Sequence, residues 1–251
     1  MTACKNCKTN FSGNFCNNCG QSAETHPINF HYLWHDIQHG VFHFDKGLFF
    51  TIRELFVRPG EAIREFIYGK RVSHFKPVAM VFLLGSIYGL LYHYFDIGTP
   101  HQFTADADSK TVAINNLVNN WMASHYALAT MLMLPFVSIS SYWAFYKTGY
   151  NLVEHFVMNS FITAQKLVVS LLLFPFLYAT NKTPEMLSVI SVTMFIDFLL
   201  TLWTYNQFFE TQSRLKNILK TLLSYFILCV FMAIAILVTV IVMLLTNPHL
   251  L

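Results

Sequence analysis

Four cysteines stand close to the amino end, Cys4 and Cys7 in one C-x-x-C pair and Cys16 and Cys19 in a second, with eight residues between the pairs. Thiolates two residues apart reach one ion from a tight knuckle. A glycine directly after the last cysteine, Gly20, relieves the backbone where the chain turns, so that amides can point at sulfur. Four thiolates in tetrahedral reach favour zinc; iron tolerates the same ligands, and a pair of disulfides would suit a secreted module. A full set of four sulfurs leaves no open coordination position, so the ion, one structural Zn2+ in this reading, holds a fold and activates no water. The stretch CKNCKTNFSGNFCNNCGQ offers only Phe11 and Phe15 to bury, and the metal must supply most of its folding energy. Its two lysines form no basic track for phosphates, so no nucleic-acid partner is expected.

Other residues with chemistry are scattered. Asp197 sits near the middle of ISVTMFIDFLLTLW, where a lipid-facing carboxylate is costly. It is predicted to face the interior, either bonded to a hydroxyl or coupled to a proton or cation, with no second ionisable residue at its depth. Glu154 and His155 are adjacent, and His74 lies upstream. Brought together they would make an acid–base pair or a metal site for a lipid-acting enzyme, but no H-E-x-x-H or H-x-x-E-H spacing accompanies them, and neighbours on a helix do not aim at one ion. His26, His31, His35, His39 and His43 are a further set, the last four recurring every four residues, which reads either as a metal-binding stripe or as interface-facing aromatics. No catalytic constellation is legible.

The elements that must position these groups follow from composition. Hydrophobic residues make up 55% of the 251, aromatics 16% and charged residues 12%, the last roughly half the share of a soluble domain. Such a chain cannot cover itself with charge. Five stretches have the roughly 20 largely apolar residues needed to cross a bilayer: about Val78 to Phe95, Tyr126 to Tyr146, Phe161 to Ala179, Met186 to Tyr205 and Thr221 to Thr246. The fold class is therefore an all-α polytopic membrane bundle of about five helices (78–251). Ahead of it come a four-cysteine zinc ribbon (1–22) and a juxtamembrane segment (28–77) of amphipathic helices. These lie at the interface or pack as a small subdomain under the bundle. NKTPE between the third and fourth spans is short enough for a re-entrant hairpin. Gly85 and Gly89 permit close helix approach inside the bundle, and Pro135 and Pro175 interrupt spans.

Basic residues orient the chain. With alternate connections on alternate sides, 14 of the 16 Lys and Arg fall on the amino-terminal side, Lys166 counted at its edge; Lys110 and Lys182 fall opposite. No signal-peptide core precedes the first span, so the amino end is expected in the cytoplasm and the carboxyl end outside.

The CGQ that ends the ribbon, FVRPGEAIREFIYGKR at Phe56 to Arg71, HFKP at His74 to Pro77 and YNLVEHFVMNSF at Tyr150 to Phe161 together resemble an uncharacterised family of bacterial membrane proteins, mostly from Bacteroidetes, with an amino-terminal zinc ribbon. The resemblance implies a bacterial inner-membrane setting and Cys4, Cys7, Cys16 and Cys19 as the metal ligands; it implies no activity. The chain reads as an integral membrane protein whose zinc-stabilised head docks a protein partner or steadies the bundle. The alternatives are a small transporter or channel using Asp197 and, behind it, a membrane enzyme near Glu154 and His155.

Overall fold

The computed structural model describes residues 1–30, 47–98, 120–121 and 124–246, the last eight of these by backbone alone. Two short strands, β1 (Thr2–Ala3) and β2 (Asn10–Phe11), pair antiparallel with Thr2 opposite Phe11. Among the described residues seven helices follow: α1 (Leu48–Val57), α2 (Pro59–Ile67), α3 (Pro77–Tyr94), α4 (Tyr126–Ala144), α5 (Leu152–Ala179), α6 (Met186–Phe208) and α7 (Arg214–Thr246). The last five are long and apolar enough to cross a membrane. The protein is thus an all-α membrane helix bundle with a small four-cysteine unit in front.

Two of the expected spans begin too late. The third helix starts at Leu152, ahead of Phe161, and the fifth at Arg214, ahead of Thr221. Asn151 explains the first case. Its side chain accepts from the Glu154 amide at 2.9 Å while the Glu154 carboxylate accepts from the Asn151 amide at 2.8 Å, a reciprocal capping box that fixes the first turn. At 28 residues α5 is about 42 Å long, and with α3 it is the most buried of the five spans. Pro135 and Pro175 sit within α4 and α5, which continue through them.

The helices α4, α5, α6 and α7 close into a ring in which each packs on the next, and α3 lies in the outer groove between α4 and α5. Gly85 of α3 serves that contact: a Cβ there would meet the Ala127 Cα of α4 at 3.2 Å. At the far end of the bundle, the turn after α5 meets the end of α3. Lys182 Nζ lies 2.5 Å from the Asp96 carboxylate, and Asn181 bonds the Asp96 carbonyl and the Gly98 amide. The turn NKTPE therefore lies beside the end of the first span, and α5 and α6 run the full length; a re-entrant hairpin is not what this pair forms.

At the opposite end, α1 and α2 pack beneath the bundle. Pro59 opens α2 at the position where a missing amide costs nothing, and Gly60 follows where α2 crosses the end of α6. A Cβ on Gly60 would fall 2.3 Å from the Phe208 nitrogen. Arg64 donates to the carbonyls of Gln207 and Phe208 and to the Glu210 carboxylate, placing a cation on the unpaired carbonyls that end α6. Arg58 joins Glu54, Glu61 and Glu65, and Lys70 adds to Glu65 at 2.7 Å. Burial opposes the Glu65 charge, but Lys70 and Arg58 outweigh it and hold the carboxyl below its ordinary value. The histidines at 31, 35, 39 and 43 lie outside the described residues.

Candidate metal centre and polar interior

The head is two copies of one knuckle. Cys4 N bonds Thr9 O and Lys8 N bonds Cys4 O; Cys16 N bonds Gln21 O and Gly20 N bonds Cys16 O, all at 2.8 or 2.9 Å. Lys8 (φ 65°) and Gly20 (φ 75°) occupy the same left-handed position in the two knuckles, so the glycine read from sequence has a lysine counterpart that tolerates the strain. The turns bring the four sulfurs within 4.8 Å of one another, with Cys4 to Cys19 at 3.5 Å and Cys7 to Cys16 at 3.6 Å. A zinc ion about 2.3 Å from each sulfur requires sulfur separations of nearly this size. None of the cysteines is in a disulfide. Hydrogen bonding with the Thr9 hydroxyl draws the Cys7 thiol down to about 5, whereas burial pushes Cys19 up to about 11. Four thiolates at such distances repel unless a cation compensates them, so the donor set fits a thiophilic metal. Among the described residues this is the one cluster of three or more metal-type ligands. Phe11 is buried against it; Phe15, expected to join, is exposed.

The head does not hang free. The Gln21 side-chain oxygen, itself buried, accepts from the Arg71 and Val72 amides at 3.1 and 3.2 Å. Arg71 bonds the His26 carbonyl, Ser73 bonds Asn6, and Asn151 reaches the carbonyl of Ile28, whose side chain enters the bundle core. At Gly69 (φ 114°) a Cβ would meet Thr25 Oγ1 at 2.7 Å, so the linker between α2 and α3 presses its bare backbone on the head.

The three groups considered for an acid–base site are not assembled. Glu154 is committed to its own cap. His74 is buried among the rings of Phe50, Phe66 and Phe161, 5.1 to 6.4 Å between centroids. Burial, helped by Lys70, takes His74 down to about 4. His155 lies under Tyr142 and Phe209 instead, where its Nδ1 meets Ser141 Oγ at 3.0 Å. That pair opens a buried polar column: Asn159 Nδ2 donates to Ser141 Oγ at 2.8 Å and Tyr205 OH to Asn159 Oδ1 at 2.7 Å. Gln165 spans a separate gap, giving a bond to the Leu55 carbonyl at 2.7 Å and taking one from Thr204.

Asp197 is half-buried on α6, and its Oδ1 meets no partner among the described residues. The hydroxyl expected beside it exists, but Thr201 Oγ1 bonds the Asp197 main-chain carbonyl at 2.8 Å. The expectation that no second ionisable group shares its depth is overturned. Lys166 stands 14 residues into α5 and Asp197 11 residues from the end of α6, about 21 and 17 Å from the same end of the bundle. Lys166 was missed because the late start given to the third span put it at the membrane edge; the N-x-x-E cap at Asn151 was the signal that would have moved it inward. With Lys166 inside the span, the basic residues divide 13 to 2 between the two sides.

A family model described as a protein of unknown function (DUF3667) matches residues 45–89, which cover α1, α2, the linker and most of α3. No curated protein and no solved structure matches the chain.

Proposed function

We propose that Cys4, Cys7, Cys16 and Cys19 hold one structural zinc ion, and that the head so formed steadies the end of the bundle and offers its outer face to a protein partner. The observation that carries this reading is the pairing of a converged four-sulfur set with direct bonds from the head to the linker at residues 69–73. Zinc supplies the fixed tetrahedral centre; the chain's own Gln21, Asn6 and Ile28 carry that rigidity into the bundle. The matched family stretch is the surface the head rests on, which supports a bundle-steadying role over a freely swinging one. Elemental analysis of the purified protein is expected to give one zinc per chain, lost on Cys16→Ser, with a lower melting temperature for the bundle. Absence of zinc, equivalent iron, or an unchanged melt after metal loss would remove the reading.

We place the head in the cytoplasm of a bacterium and the bundle in its inner membrane, on the 13-to-2 division of basic residues. An impermeant thiol reagent applied to intact cells of a Cys229→Ser background should label Asp108→Cys and spare Ser213→Cys; the reverse pattern would invert the orientation.

A further inference from the structure

A cavity of about 70 Å³ lies between the four ring helices. Thr201 is seven residues before the end of α6 and Ser224 ten residues into α7, which puts these walls about 10 and 15 Å from the head end, inside the spans. The lining is polar in one sense only. Asn159, Thr163 and Lys166 of α5, Thr201 and Tyr205 of α6, and Ser224 and Tyr225 of α7 supply an ammonium, an amide and hydroxyls, and no carboxylate is among the described residues that line the space. Several of these groups are already engaged with one another. Tyr225 OH donates to Thr201 Oγ1 at 3.1 Å, Thr201 donates to the Asp197 main-chain carbonyl at 2.8 Å, and Tyr205 OH donates to Asn159 Oδ1 at 2.7 Å. The Asn159 amide nitrogen serves Ser141 and the His155 carbonyl.

Lys166 is engaged far less. Its ammonium carries three donors, yet among the described residues it makes one long bond, to Tyr225 OH at 3.5 Å, and no ion pair. Two N–H groups and the charge are left to the cavity. The Tyr225 ring, 5.9 Å from Nζ, adds only a weak attraction, and Asp197 neither lines the space nor bonds the ammonium. A charge at this depth is costly unless something compensates it, and neutral hydroxyls orient around an ammonium without cancelling it. We propose that this cavity binds a monovalent anion the size of chloride, a function separate from the role of the head. Lys166 supplies the counter-charge through charge-assisted N–H bonds. Thr163, whose hydroxyl has no hydrogen bond among the described residues, and Ser224, whose hydroxyl lies beside Tyr205, add O–H groups that rotate to the ion. Volume sets the size of the ligand: a water takes about 30 Å³ of liquid, so the space holds a halide with a water beside it and excludes a phosphate ester. The surroundings favour the same sign, because Lys220 and Lys216 stand one and two turns from Ser224 toward the head end of α7, and positive side chains along an approach select anions.

The test measures the linewidth of the chloride resonance by NMR with the full, metal-loaded chain in a neutral detergent, as sodium chloride replaces sodium gluconate at constant ionic strength. The wild type is expected to broaden the line beyond detergent alone, with an excess that saturates as one site per chain. Lys166→Met keeps the length of the side chain, removes its charge, and should weaken binding at least tenfold at equal helical content. Lys182→Met, which removes an exposed lysine at the far end of the bundle, should bind as the wild type does. If Lys166→Met does not fold, Ser224→Ala removes one hydroxyl from the wall and should weaken binding about threefold. A wild type without saturable broadening overturns the proposal, and so does an equal loss in Lys182→Met. Undiminished binding in folded Lys166→Met, or in Ser224→Ala where the methionine variant does not fold, overturns it as well.

Discussion

At the head end, Phe145 and Phe209 stack 4.0 Å apart with Tyr205 and Phe208 buried against them, Phe161 is buried against Phe66 and His74, and α2, the linker and the ribbon close over the layer. At the far end, Lys182 and Asp96 form an exposed ion pair and Asn181 ties one loop to another. The same five helices meet at both ends, so the difference comes from what the chain adds outside the spans. Along α6 and α7 only 11% of the span is buried inside the protein, against 44% for α3 and α5. Lipid covers the outer pair, and the head layer clamps their inner ends. Mechanical definition resides in the polar and aromatic contacts of one layer, while apolar length alone suffices elsewhere.

Substitutions separate the two ends by size of effect. Gly60→Ala should be the most damaging, because its Cβ would fall 2.3 Å from one backbone atom of α6 and 2.5 Å from another. A loss of about 4 kcal/mol or outright failure to fold is expected, measured by thermal melting in detergent; wild-type stability would show that the junction is loose. His74 gives a pH-dependent effect. A free histidine protonates near 6.5, and this one near 4. Between those values the unfolded chain binds a proton that the folded chain refuses, so stability falls as pH drops through that window, by about 3 kcal/mol at pH 4. His74→Phe should flatten that limb relative to wild type, zinc loss being common to both. Gln21→Leu removes the buried acceptor shared by the Arg71 and Val72 amides, two hydrogen bonds worth about 1 kcal/mol each, and should cost about 2 kcal/mol. Lys182→Met, at the far end, should change stability by less than about 1 kcal/mol, as exposed pairs do. A larger loss there than at Gln21 would reverse the contrast between the ends.

The spans were legible because crossing a bilayer demands apolar length, which composition displays directly. The cysteine knuckles were legible because ligand spacing is local. The start of α5 was not, because Glu154, His155 and Asn159 lower the hydropathy of its first turns, and the capping box that overrides this is a two-residue signal. Glu154 and His155 looked like chemistry for the same reason: polar residues beside a span invite a catalytic reading, and only the fold shows that one caps its helix and the other meets Ser141. The partners of Arg64, Gln165 and Gly60 lie more than a hundred residues away in sequence, where no local pattern points. Cys229, the fifth cysteine, is exposed on α7.

The grip of Arg64 on the end of α6 joins residues 144 positions apart, which sets an order in time. At about 5 to 20 residues per second, a ribosome needs roughly 7 to 30 seconds after making Arg64 before Phe208 exists. Throughout that interval α2 has no helix end to cap, and Gly60 faces an empty slot. The head layer is therefore closed by one of the last loops to be synthesised, and a shut layer reports that four helices of the bundle have already arrived.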